Sequence, residues 1–150
     1  FMGSMRLSQR RHILQPNLLP LDESRWLALM RDNRIDGKVA FAGTQDAGLH
    51  WRDLPDTPLI NPDSSVAALA QAPGLFALAH NSSPRSRQVL DLSLSADGLA
   101  WSRAQTLASG GTGSEFSYPS MAMAEGDLWV SYTEGRTRIA WHRFALGARP

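Results

Sequence analysis

From His12 onward the chain alternates apolar and polar positions in short runs separated by turn-forming residues, the pattern of half-buried β-strands. Strands are predicted over Ile13–Leu21, Arg25–Met30 and Lys38–Gly43. A second set follows over Ser65–Ala72, Leu75–His80 and Gln88–Leu94, and a third over Tyr118–Ala124, Leu128–Thr133 and Arg138–Leu146. Short outer segments, Arg52–Ile60 and Ser102–Ala108, complete the first two sets. The aromatic residues Trp26, Phe76 and Trp129 hold matching places in these sets, 50 and 53 residues apart. Helix is a poor alternative. Pro16, Pro20, Pro55, Pro58, Pro62, Pro73, Pro84 and Pro119 interrupt nearly every window long enough to hold one.

Two turns punctuate the repeat. Thr44-Gln45-Asp46-Ala47-Gly48-Leu49-His50-Trp51 returns, one residue shorter, as Ser95-Ala96-Asp97-Gly98-Leu99-Ala100-Trp101. Each has a hydroxyl residue, Asp two places on, then Gly and Trp. The Asp carboxylate can accept backbone N–H groups within a tight turn, and Gly takes the positive φ that a Cβ resists. The Trp ring closes the turn against the neighbouring sheet. Thr44, Asp46, Gly48 and Trp51, with Ser95, Asp97, Gly98 and Trp101, are therefore assigned a structural role.

The repeat length and strand count predict an all-β chain of β-propeller blades, each of four antiparallel strands. About three blades are expected, over residues 12–61, 62–113 and 114–147. Residues 1–5 read as a cloning remnant before a three-blade unit spanning 6–150. Three blades do not close a ring, so a homodimer completing a six-bladed ring is expected. The third blade lacks its outer strand, a place that Met5–Arg11 of a partner would fill.

Blade geometry sorts the candidate chemistry. The start of strand one, the end of strand two and the loop after it share one rim; the Asp-containing turns lie at the opposite rim. The first rim collects Gln15, Ser65 and Tyr118, then Arg31, Asn81 and Glu134. Its loops add Arg34, Arg85, Arg87, Arg136 and Arg138. Arginine presents paired N–H donors that match the two oxygens of a carboxylate, so a carboxylate-bearing ligand such as an acidic sugar is expected.

Composition changes this picture only slightly. Hydrophobic content of 43% and charged content of 19% fit a globular chain. Fourteen of its fifteen basic residues are Arg, from either genome composition or planar recognition of carboxylates. A net charge of +1 argues against a general nucleic-acid binder. The longest apolar run, Val66–Ala79, is broken by Gln71, Pro73 and Gly74, so no membrane span is expected. With no cysteine there is neither a disulfide framework nor a thiolate metal site. His12, His50, His80 and His142 show no metal-ligand spacing, and no metal or cofactor is expected. Gly110-Gly111-Thr112-Gly113 lacks a following Lys or helix and reads as a linker. Met5 is followed by no signal peptide, so a cytoplasmic location is expected if the chain is complete.

The repeated turns, with Gln15-Pro16, Leu27–Arg31, Asn61-Pro62-Asp63-Ser64, Glu115-Phe116-Ser117-Tyr118-Pro119 and Tyr132-Thr133, resemble the bacterial sialidase (neuraminidase) family and its BNR, or Asp-box, repeats. The resemblance covers nearly all of residues 12–146 but only the C-terminal half of a full propeller. It implies a sialidase-like glycoside hydrolase domain or fragment. Members clamp the sugar carboxylate with three Arg residues, and a Tyr polarised by a Glu is the nucleophile. Arg31 matches one clamp position, and Arg87 or Arg85 another. Glu134 resembles the acid that orients one of the arginines. Gln15 stands where the activating Glu belongs, and Phe116 where the Tyr belongs, with Tyr118 two residues on as a stand-in nucleophile. The first Arg and the acid/base Asp would lie in an N-terminal half. The resemblance thus implies binding of sialic acid or another acidic sugar with impaired catalysis. The alternative is a non-catalytic carbohydrate-binding or structural propeller module that assembles as a homo-oligomer.

Overall fold

The computed structural model describes residues 3–34 and 37–145. These residues form three antiparallel sheets and no helix. Blade 1 contains β1 (Ile13–Pro20), β2 (Trp26–Asp32), β3 (Ala40–Thr44) and β4 (Arg52–Asp53), in that order. Blade 2 contains β5 (Ala67–Ala72), β6 (Leu75–Asn81), β7 (Val89–Ser95) and β8 (Ser102–Ser109). Blade 3 contains β9 (Phe116–Ala124), β10 (Asp127–Glu134) and β11 (Arg138–Ala145). The expected ends of that blade, at Leu146 and residue 147, lie outside the described residues.

Alternation decides how the blades pack. In β2, Leu27 and Leu29 face blade 2, where they meet Phe76 and Leu78 of β6 together with Leu19 and Phe41. The opposite face of β6, Ala77 and Ala79, meets Leu128, Val130 and Tyr132 of β10. Blade 2 is thus buried on both faces, with small residues on one and large residues on the other. Each fully buried Leu or Phe here contributes about 1.5–3 kcal/mol by leaving water. The innermost strands β1, β5 and β9 lie side by side, and Asn17 Oδ1 accepts the Ala68 N–H at 3.0 Å to tie the first two.

Three details differ from expectation. The outer segment Arg52–Ile60 is strand only over Arg52–Asp53, plus an isolated bridge from Lys38 to Ile60. Pro55 and Pro58 carry no N–H and cannot extend the ladder. Trp129 does not occupy the place of Phe76. The residue packing toward the preceding blade is Leu128, and Trp129 points to the other face of β10, against Trp141 (ring centroids 5.2 Å apart) and Arg143. A one-residue offset in a strand reverses the face. Finally, the N-terminal segment is held by its own chain. Ser8 donates to Asp53, Arg10 donates to Asp56 and to the Leu54 carbonyl, and Leu7 packs on blade 1.

Candidate functional site

The candidate rim is built at the starts of the innermost strands. Gln15 and Tyr118 occupy corresponding positions, each followed by Pro and each at a register shift in its pairing with the second strand. Both adopt positive φ, 51° and 53°. A β-bulge re-aims one side chain out of the ladder, and the following Pro has no N–H to lose from it. Left-handed backbone at residues with a Cβ costs about 1–3 kcal/mol, a strain concentrated at functional sites.

Around these bulges a continuous polar network spans the three blades. Arg31 donates from Nε to Asp63 Oδ1 at 2.5 Å and from Nη1 to Gln15 Oε1 at 3.0 Å. Ser65 Oγ donates to the same Gln15 oxygen at 2.8 Å. Arg87 donates from Nη2 to the Asp63 main-chain carbonyl at 2.8 Å and from Nη1 to Glu115 Oε1 at 3.0 Å. Glu115 also accepts from Arg136 Nε at 2.8 Å and from Ser117 Oγ at 3.2 Å. The Arg87 guanidinium lies over the Tyr118 ring, 5.8 Å from its centroid. Arg31 and Arg87 are largely covered, with side chains 16% and 17% exposed, whereas Tyr118 is 49% exposed.

Mutual pairing sets the electrostatics. The Asp63 hydrogen bond raises the Arg31 pKa, and Arg31 in turn holds Asp63 below the usual carboxylate range. Arg136, then Arg87 and Ser117, lower the Glu115 pKa against the opposing effect of burial. Both carboxylates are thus ionised at neutral pH. In this network three guanidiniums face two carboxylates, an excess of one positive charge.

The rim brings together Arg31, Arg87, Tyr118 and Gln15 from the sequence-based candidates. Arg85 is exposed on the same β6–β7 loop as Arg87. Glu134 lies apart from this network. Thr133 pairs with Ser117, so Glu134 is one residue beyond the position matching Arg31, at the β10–β11 hairpin with its carboxylate 3.7 Å from Arg138 Nε. Phe116 is buried edge-to-face against Tyr132 and offers no chemistry to the rim. Asn81, matching Arg31 in blade 2, is buried and donates to the Val89 and Phe116 carbonyls, tying two blades. The acids that sequence reasoning missed are Asp63 and Glu115. Both lie in the loops that lead into the innermost strands, Asp63 before β5 and Glu115 immediately before β9, where strand alternation gives no signal for them.

At the opposite rim the two Asp-containing turns repeat one hydrogen-bond pattern. Thr44 Oγ1 donates to Asp46 at 2.7 Å and accepts the Gly48 N–H, and Trp51 Nε1 donates to the Gly48 carbonyl at 3.0 Å. Ser95 Oγ likewise bonds Asp97 at 3.0 Å and the Gly98 N–H at 2.8 Å, with Trp101 Nε1 on the Gly98 carbonyl at 3.0 Å.

The fold matches solved structures of glycoside hydrolases. A Hadza microbial sialidase, Hz136, superposes with a TM-score of 0.73 over 91% of this chain at 18% identity. A second sialidase gives 0.65 over 86% at 23% identity. The α-L-arabinofuranosidase Arb93A from Fusarium graminearum gives 0.70 over 89% at 13% identity. The chain spans 28%, 13% and 45% of the lengths of these proteins, respectively. No curated protein matches it. The matched portions of the sialidases are β-propeller blades, the architecture of the three sheets here. The profile of the BNR repeat-like domain matches residues 3–130, and the chain belongs to the BNR repeat-like domain family.

Proposed function

We propose that this chain is a sialidase-like glycoside hydrolase domain whose Arg-bearing rim binds a carboxylate-bearing sugar, with catalysis impaired. The observation that carries this reading is the pair Arg31 and Arg87. Both are anchored by Asp63, one through its carboxylate and one through its main chain, so the two guanidiniums are positioned at little further entropic cost. Tyr118, exposed beside Arg87, is the candidate nucleophile. Gln15 is an amide and cannot act as a base toward it, and Glu134 is engaged with Arg138. Binding without efficient turnover follows. Sialic acid is expected to raise the melting temperature, its methyl ester to have no effect, and Arg31→Ala to weaken the acid's binding by about ten-fold or more. Equal shifts from acid and ester would reject the carboxylate reading. A fluorogenic sialoside tests turnover, expected to be slow or absent.

A second reading, a non-catalytic module that assembles as a homo-oligomer, is favoured by the end blades. Ile139 and Trp141 on the outer face of blade 3 are 71% and 62% exposed, and Leu14 and Leu18 of blade 1 are 46% and 45% exposed. Apposing these faces in two copies would close a six-bladed ring with Arg31 and Arg87 from both.

A further inference from the structure

The outer part of the interface between blades 1 and 2 opens into a cleft of about 440 Å³. Its walls include Trp101 and Pro58, and its floor is polar. His80 and Asp91 face each other across β6 and β7, with Ser93 one step along the same face. Their side chains are all but sealed from solvent, at 4%, 2% and 2% exposed. His80 Nε2 lies 3.1 Å from Ser93 Oγ. Asp91 accepts from Ser82 Oγ at 2.6 Å and Thr106 Oγ1 at 2.7 Å. Arg103, largely exposed, reaches over the mouth with Nη1 3.9 Å from Asp91.

Nothing in blade packing requires this polarity. The corresponding positions of blade 1 are Met30, Ala40 and Ala42, which form a dry apolar cluster. Blade 2 instead buries a carboxylate and an imidazole, with the main chains of Asn81 and Ile60 beside the His80 ring. Burial lowers the His80 pKa, so the imidazole is neutral at pH 7 and forms an uncharged floor beneath Asp91. Asp91 uses two of its four or so acceptor sites, leaving others for a ligand. Its charge is balanced by Arg103, so the cleft, unlike the rim, has no net charge with which to draw an acid.

We propose that this cleft is a second binding site, separate from the rim, for one ring of an uncharged saccharide. A sugar hydroxyl would donate to Asp91 at the edge beside Arg103, Arg103 would donate to a ring or hydroxyl oxygen, and the apolar ring face would rest against Trp101. The site does not depend on the carboxylate reading of the rim.

The test is an NMR titration of the full chain with lactose, maltose and cellobiose, each to about 50 mM, well above the millimolar range of a small neutral site. The expected result is a saturable shift of the Trp101 indole N–H and the His80 ring with at least one sugar. Arg103→Ala, a surface change that leaves the sheet intact, should weaken that binding about ten-fold. Asp91→Asn should weaken it too where it folds, and Arg103→Ala carries the test where it does not. The proposal is overturned if no sugar gives a saturable shift at these resonances. It is equally overturned if Arg103→Ala leaves the affinity unchanged, or if glycerol at matched hydroxyl concentration reproduces the shifts.

Discussion

Gly98 shows how much one residue can carry. Its φ is +76°, and an added Cβ would lie 2.7 Å from Leu21 Cδ2 and 3.0 Å from Leu27 Cδ1 on blade 1. Gly98→Ala therefore combines backbone strain with overpacking and should destabilise the chain by about 2–4 kcal/mol. The matching Gly48 has φ +91° but meets only Trp51, at 3.7 Å, so Gly48→Ala should cost about 1 kcal/mol. Urea unfolding of the two variants checks the difference, and equal losses would show that the contact to blade 1 is unimportant. Asp97 gives a pH prediction. The Ala100 and Leu99 N–H groups, in that order, hold its pKa below the ordinary 3.8. A depressed folded pKa supplies stability that is complete above about pH 5 and is lost as pH falls through the folded value. Asp97→Asn should flatten that acid loss; an unchanged stability profile between about pH 5 and pH 2 would contradict the assignment.

At the scale of the strand, the bulge is the device that serves the rim. Tyr118 holds φ +53° beside Pro119, so its backbone belongs to the conformation glycine prefers. In an ordinary strand Ala is more stable than Gly by about 0.5–1 kcal/mol. At position 118 the order should reverse, with Tyr118→Gly about 1 kcal/mol more stable than Tyr118→Ala. Thermal denaturation of the pair decides it, and the usual order would mean that the bulge relaxes once the ring is gone. β4 illustrates the opposite limit. Its ladder ends after two residues because Pro55 and Pro58 follow, although the flanking segment had the composition of an outer strand.

For the molecule as a whole, the end blades set the prediction. The middle blade is covered on both faces, whereas Ile139 and Trp141 on blade 3 stand exposed. Exposed apolar sheet faces favour association. Sedimentation is expected to show a dimer, and Trp141→Glu to shift it toward monomer; a stable monomer at high concentration would remove the two-copy ring.

Much of this architecture was legible beforehand because it depends on local rules. Period-two alternation marked the strands, prolines excluded helices, and the Thr44 and Ser95 turns announced the repeat through residues that satisfy one another within eight positions. Trp129 marks the boundary of that legibility. An aromatic at about the right spacing looked equivalent to Phe76, yet a single-residue offset places it on the far face, and only the pairing of β10 with β9 and β11 reveals the offset. The rim divides in the same way. Arg31, Arg87 and Tyr118 could be placed at one rim from blade geometry alone. That Asp63 and Glu115 hold the arginines, that Glu134 turns instead to Arg138, and that His80 meets Asp91 in a cleft were settled by the folded chain. Apart from Glu134 and Arg138, four residues apart across a hairpin, these partners lie 11 to 32 residues apart and meet only when the chain is folded. Short-range chemistry is written in neighbouring residues; long-range pairing emerges from how the sheets stack.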